Sequence, residues 1–261
     1  MFDLIDKAHL IVPGSMLVMA RLSGMFLTFP VFSANFLNNR IKIALIAMFT
    51  ILISPSFYNT YPAIDNSLQL GVMGIKEFCI GATIGFGTTV IFEAFKIAGM
   101  FIGRQVGLSM AQAMDPSTNT QTQIIGQIFS LVVVTYFVVS NGHHMLIETF
   151  YNNFKLIPLG TGVFPAALGR NIVATGSDAF KLALNFAGPT IVFMLLVEAA
   201  VAITVRVMPQ MNAFFITLPL RIGCGVFALI NSLNIFQILY PTIYEYVYQY
   251  IGSSMGHIRG V

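Results

Sequence analysis

The stretch from Ile222 to Tyr244, IGCGVFALINSLNIFQILYPTIY, contains no charged residue. A helix crosses the hydrocarbon layer of a bilayer in about 17–25 residues, so this run is long enough to do so alone. Its apolar residues are continuous and do not alternate, which favours a helix over a barrel strand. Working outward, five more apolar segments stand at 11–36, 43–57, 71–92, 124–139 and 182–205. The second and fourth are short for a crossing. They are expected to tilt, to extend into polar turns, or to be shielded by protein. The expected fold is an all-α polytopic membrane protein forming one membrane domain over 1–261.

Composition points the same way. The chain has 261 residues, 56% hydrophobic and 9% charged, with a mean hydropathy of +0.81. Soluble domains are roughly 25% charged, and a chain this poor in charge could not cover a water-facing surface. Tyr58 and Tyr61 follow the second segment, and Tyr240, Tyr244, Tyr246, Tyr248 and Tyr250 lie at the end of the sixth. Such rings suit the headgroup level, with an apolar body and a wet hydroxyl.

The net charge of +3 is spread singly along the chain. No basic stripe follows a phosphate backbone, so no nucleic-acid partner is expected; lipid headgroups account for the basic excess. Arg40, Lys42, Lys96, Arg104, Arg206 and Arg221 border short linkers on one side. That bias places both termini outside the cytoplasm. The N-terminus, MFDLIDKAHLIVPG, lacks a basic n-region and a cleavage site, so its apolar run is expected to stay.

The chemistry of an enzyme is not legible. Cys79 and Cys224 lie singly in apolar runs and read as small buried hydrophobes. His143 and His144 are adjacent, with no third ligand at metal spacing. There is no GxSxG elbow and no glycine-rich phosphate loop. No enzyme activity, metal or cofactor is expected.

Some polar residues sit in apolar surroundings: Arg21 in the first segment, Glu77 in the third, Glu93 after it, and Glu198 in the fifth. An ionisable group in hydrocarbon is costly, so each should face protein or a water-filled space. Mutual pairing and a polar channel lining are both open readings. Gly81 and Gly85, and then Gly99, Gly103 and Gly107, recur every four residues. On a helix that spacing makes one smooth face on which another backbone can come close. Residues 93–123 form the central linker. Within it Asp115-Pro116 reads as a break, because the residue before proline avoids the helical region. The last linker, RVMPQMNAFFITLPLRIG at 206–223, places Pro209 and Pro219 between two long helices. Gln210 and Asn212 could bond the backbone groups that a bend frees. A buried re-entry and a partner-docking surface both fit.

The ordered series RLSGMFLTFPVFS (21–33), Pro55, Glu77 with its following glycines, GMFIGRQVGLSMAQAMDP (99–116), NGHHMLIETF (141–150), Pro158 and RVMPQMNAFFITLPLRIG (206–223) resembles the FliR family of type III secretion export-gate proteins. The resemblance covers nearly the full length. It is most specific at Pro209, Gln210, Asn212, Phe214, Pro219 and Arg221. It implies paired, bent helices packed with FliP-like and FliQ-like subunits in a hetero-oligomeric gate, with FlhB associated and FlhA nearby. The implied place is the flagellar basal body in the bacterial inner membrane. The implied cargo is unfolded flagellar export substrates. The family's plug carries over to Val106, Gly107, Leu108, Met110, Met114, Asp115 and Pro116. Candidate packing or polar-network residues are Arg21, Glu77, Gly81, Gly85, Gly99, Gly103, Glu198, Arg206, Pro209, Gln210, Asn212, Pro219 and Arg221. The matching subunit of a virulence injectisome is the alternative. A stand-alone small-solute transporter is a remote third reading, since no paired repeat surrounds a midplane site.

Overall fold

Apolar runs without charge become helices wherever the structure is defined. The computed structural model describes residues 2–32, 38–62, 64, 66–107, 124–208 and 213–259. Among these, α1 is Phe2–Thr28, α2 Asn39–Ile53, α3 Ser67–Gln105, α4 Ile124–Val139, α5 Gly142–Leu156, α6 Ala166–Val207 and α7 Ala213–Arg259. Short 3₁₀ turns follow α1 at Pro30–Phe32 and α2 at Ser54–Thr60. The described residues contain no strand.

Local chemistry explains several ends. Asn38 caps α2, its side-chain oxygen accepting from the Arg40 N–H at 3.2 Å; such a cap occupies a donor the first turn leaves unpaired. Pro55 lacks an N–H and cannot extend α2, so the chain tightens into the 3₁₀ turn. Asn141 adopts φ 63° between α4 and α5, a left-handed position that asparagine tolerates better than most residues. The two helices there meet at a 72° bend.

Several boundaries differ from the sequence reading. Residues 93–105, read as linker, continue α3 as helix. The 39 residues of α3 span roughly 58 Å at 1.5 Å per residue, about twice the hydrocarbon thickness. The stretch at 140–181, between the fourth and fifth apolar segments, contains α5 and the first turns of α6, and α5 buries Met145, Leu146, Phe150 and Phe154 on one side. In the segment read as ending at 36, α1 stops at Thr28 and Pro30 opens a 3₁₀ turn, while 33–36 lie outside the described residues. Pro219 does not interrupt the last helix: α7 begins at Ala213 and carries both Pro219 and Pro241 inside it. A helix accommodates an internal proline by bending and leaving one carbonyl free. Of the residues proposed for the plug, Leu108, Met110, Met114, Asp115 and Pro116 lie outside the described residues, as do Pro209, Gln210 and Asn212.

Among the described residues, five helices are long and apolar enough to cross a membrane, and the bent α4–α5 pair makes a sixth if it counts as one span. The chain is thus a polytopic helical membrane protein.

Contacts divide the chain into two units. The first comprises residues 1–91, 136–176 and 245–261. Its core is an aromatic cluster in which the Phe150 ring lies 5.1 Å from Phe26, 5.7 Å from Phe29 and 5.7 Å from Phe49. Small residues let α1 and α3 cross with their backbones nearly touching. A β-carbon at Gly81 would meet the Arg21 carbonyl, one at Gly85 the Thr28 hydroxyl, and one at Gly24 the Phe78 carbonyl. Thr89 Oγ1 donates to the Thr28 carbonyl across the same crossing. The C-terminal part of α7 joins this unit through Tyr250, whose ring covers Gly87 and whose hydroxyl donates to the Thr83 carbonyl at 2.7 Å.

The second unit comprises residues 92–135 and 177–244. It centres on Phe186, whose ring sits 5.2 Å from Phe95 and 5.0 Å from Phe129; Phe95 lies 5.5 Å from Phe236. Little else of α6 and α7 is covered: 17% and 22% of their most apolar windows are buried.

Candidate functional site

In the first unit, α1, α3 and α5 bring a fully buried ion pair together. Arg21 and Glu77 side chains have no solvent exposure, and Arg21 Nε and Nη2 both lie 2.5 Å from Glu77 Oε2. Arg21 Nη1 donates to Asn153 Oδ1 at 3.0 Å and to the Ile157 carbonyl at 2.7 Å. The guanidinium carbon stands 4.8 Å from the centre of the Phe154 ring, a cation–π contact strengthened by the absence of water. The second oxygen of Glu77 accepts from the Gly160 N–H at 2.7 Å, while the neighbouring Lys76 Nζ donates to the Gly160 carbonyl at 3.1 Å. Successive residues of α3 therefore hold both backbone polar groups of one residue, Gly160. Gly160 itself has φ +83°, a conformation available to glycine at no steric cost.

A buried charge costs several kcal/mol to desolvate and persists only when paired and hydrogen-bonded. Arg21 Nε and Nη1 and both Glu77 oxygens are engaged, which makes the cluster a joint between α1, α3 and the turn after α5, while Asn153 Nδ2 finds no acceptor among the described residues. Arg21 and Glu77 pair with each other, both without solvent exposure. Sequence reading singled out Arg21 and Glu77 but missed Asn153, Phe154 and Gly160. The signal available was PLGTG at 158–162, a turn-rich run placed after an amphipathic helix.

In the second unit, the end of α3 rests on α6 and α7. Val106 N–H closes the helix onto the Ile102 carbonyl at 2.9 Å, and Gly107 N–H bonds the Arg104 carbonyl at 3.2 Å. Gly107 then turns the chain with φ +85°. Glycine is favoured at this position after a helix because it adopts the left-handed region without strain. Gly107 therefore leaves the helical stripe that Gly99 and Gly103 share. A β-carbon there would come within 2.7 Å of Arg221 Cδ. One turn further along α7, a β-carbon at Gly225 would fall onto Val106, whose side chain is completely buried. Arg221 Nη2 donates to Glu198 Oε1 at 2.7 Å, with side chains 22% and 34% exposed. Arg221 Nε is buried and finds no acceptor among the described residues. Gly225 was not singled out in the sequence, although it follows Gly223 in the short run GCG.

The stripe ahead of this end is uneven. A β-carbon at Gly99 would stand 2.6 Å from Gly126 Cα on α4, whereas one at Gly103 would meet the Ile125 side chain at an ordinary 3.5 Å. Gly99→Leu is therefore expected to cost about 1–3 kcal/mol through overpacking and to lower the yield of folded protein. Gly103→Ala should stay near wild type. Detergent-solubilised yield and thermal aggregation check both; equal behaviour of the two variants would contradict the α3–α4 contact.

The remaining polar candidates are less engaged. Glu93 pairs with Lys96 at 3.0 Å on a half-exposed helix surface, worth little. Arg206 stands exposed in the last turn of α6. No group of three metal-ligating side chains gathers among the described residues.

Residues 12–246 match the bacterial export proteins, family 1. The chain belongs to this family. It is similar to the flagellar biosynthetic protein FliR of Bacillus subtilis (strain 168), with 27% identity over 89% of this chain and 91% of the relative. It is likewise similar to FliR of Escherichia coli (strain K12), with 28% identity over 79% and 78%. A shorter match, 28% identical over 56% of each chain, is to the secretion system apparatus protein SsaT of Salmonella typhimurium. Arg21 and Glu77 both fall within the matched span, as do the end of α3 and its seat on α7.

Proposed function

We propose that this chain is a structural and gating subunit of the flagellar type III protein export channel, required for flagellum assembly. The observation that carries this is the family match from residue 12 to 246, joined by FliR relatives matched over 78% and 91% of their length. The relative named as a secretion-system apparatus protein aligns over a little more than half of either chain. That supports the flagellar reading over the injectisome alternative. Flagellar rod and hook genes beside this gene would agree with it.

The surface chemistry supports a shared complex. Helices α6 and α7 are strongly apolar yet mostly uncovered by their own chain. Val192, Leu196 and Ile203 on α6 and Phe227, Ile230 and Ile238 on α7 are all more than half exposed. FliP-like and FliQ-like subunits are the partners assigned to these faces, with lipid on the remainder, and FlhB and FlhA associated at the basal body. Unfolded flagellar proteins are the substrate that passes. The plug is assigned to Val106–Pro116, where apolar and adaptable side chains such as Leu108, Met110 and Met114 can close a pore by packing and dewetting.

Gentle detergent purification tests the assignment. Stable co-purification with FliP-like and FliQ-like subunits is the expected result. A monodisperse monomer that transports a small solute in liposomes would overturn it.

A further inference from the structure

Helix α5 has two unlike sides. Met145, Leu146, Phe150, Asn153 and Phe154 are buried in the first unit. On the opposite side His144, Glu148, Asn152 and Lys155 recur at three- and four-residue spacing, which makes one polar stripe on a helix. Along it the Asn152 amide donates to Glu148 Oε1 at 3.4 Å. The contacts between α5 and the first helix climb α1 as they descend α5: Ile157 and Asn153 meet Arg21, and Phe150 meets Phe26 and Phe29. The two helices therefore lie side by side in opposite directions. Arg21 and Phe26 belong to Ile11–Thr28, a stretch long and apolar enough to cross the membrane. The stripe thus stands beside a membrane-crossing segment, at its depth.

We infer that the His144, Glu148, Asn152 and Lys155 stripe of α5 forms part of the wall of the water-filled path through which polypeptide is exported. The inference rests on the export-channel reading above. Composition excludes hydrocarbon, because charged groups at that depth persist only where protein or a water-filled cavity meets them. The stripe cannot turn inward, since the other side of α5 is already packed against α1. A tight subunit contact fits poorly, because Lys and Glu are depleted from the cores of protein interfaces. A conducting wall must let its cargo leave as readily as it enters. Sparse charge of both signs among neutral polar groups meets that need, for it hydrates a passing chain without holding it.

The test uses cells expressing the complete gate, with Cys79→Ala and Cys224→Ala removing the native thiols. His144→Cys, Glu148→Cys, Asn152→Cys and Lys155→Cys are made singly, and Leu146→Cys on the buried side is the reference. Opened membranes are treated with a charged, membrane-impermeant maleimide, and the label is read on the purified complex. Co-purification with the FliP-like and FliQ-like subunits is measured in parallel. The stripe cysteines are expected to react about tenfold faster than Leu146→Cys, because the reactive thiolate forms in water and is suppressed in apolar surroundings. An export substrate fused to a stably folded domain, and so arrested in the channel, should slow them to near the reference rate. Stripe cysteines as slow as Leu146→Cys in an intact complex overturn the inference. So do fast cysteines that the arrested substrate leaves unprotected, which would place the stripe on an outer wet surface. Failure of the wild-type chain to co-purify rejects the export-channel reading, and the inference with it.

Discussion

Glu77→Ala is expected to prevent the chain from accumulating in the membrane. The substitution leaves the Arg21 guanidinium fully buried with no counter-charge, and also frees the Gly160 N–H. Breaking one side of a buried pair costs about 3–5 kcal/mol, a large share of the roughly 5–15 kcal/mol that holds a typical domain folded. Arg21→Ala should be comparably damaging, since Asn153 and the Ile157 carbonyl lose their donor. The double replacement Arg21→Met with Glu77→Leu removes both charges together and is expected to recover much of the lost protein. Immunoblots of membrane fractions and thermal melts of the solubilised protein check the series. Wild-type levels of the Glu77→Ala protein would show that the joint between α1, α3 and the α5 turn is dispensable.

The two ion pairs differ in burial. Arg21–Glu77 is sealed from solvent and fastened to three further groups, as befits an element that stays fixed. Arg221–Glu198 is partly open, with side chains 22% and 34% exposed. Both lie in a chain that is 9% charged, so each retained charge stands out against an apolar background.

Much of this was legible in the sequence because lipid imposes a simple rule: charge must be absent or paired. The uncharged run at 222–244 announced a membrane helix, and Arg21 and Glu77 announced a need for partners. The identity of the partners was not legible, because residues 56 positions apart are brought together by how α1 crosses α3, and that crossing depends on Gly24, Gly81 and Gly85 jointly. Helix ends were read poorly for a related reason. Residues 93–105 carry Glu93, Lys96 and Arg104 and look too polar for a lipid-facing helix, yet Phe95, Ala98 and Ile102 bury one face and the helix continues beneath them. Pro219 was read as a stop, although a long helix packed in an apolar setting carries an internal proline with only a bend. Within the every-four glycine pattern, Gly99 lies against Gly126, Gly103 has only ordinary contact with Ile125, and Gly107 serves the backbone angle and not a smooth face. The partner-facing surfaces of α6 and α7 were invisible as such, because a side chain that meets lipid and one that meets another apolar helix have the same composition.

The most direct test of a gating role is deletion of Leu108–Ala113 in cells that express the full export gate. Potassium efflux is measured with export idle, and complex yield is followed alongside. A closed gate of this kind excludes ions through apolar and small side chains that leave no room for water. Removing six residues is therefore predicted to raise idle efflux about tenfold or more, with assembly preserved by the Gly99–Gly126 and Val106–Gly225 contacts that the deletion leaves in place. An assembled deletion complex as tight as wild type would contradict the account and reduce the segment after α3 to a connector.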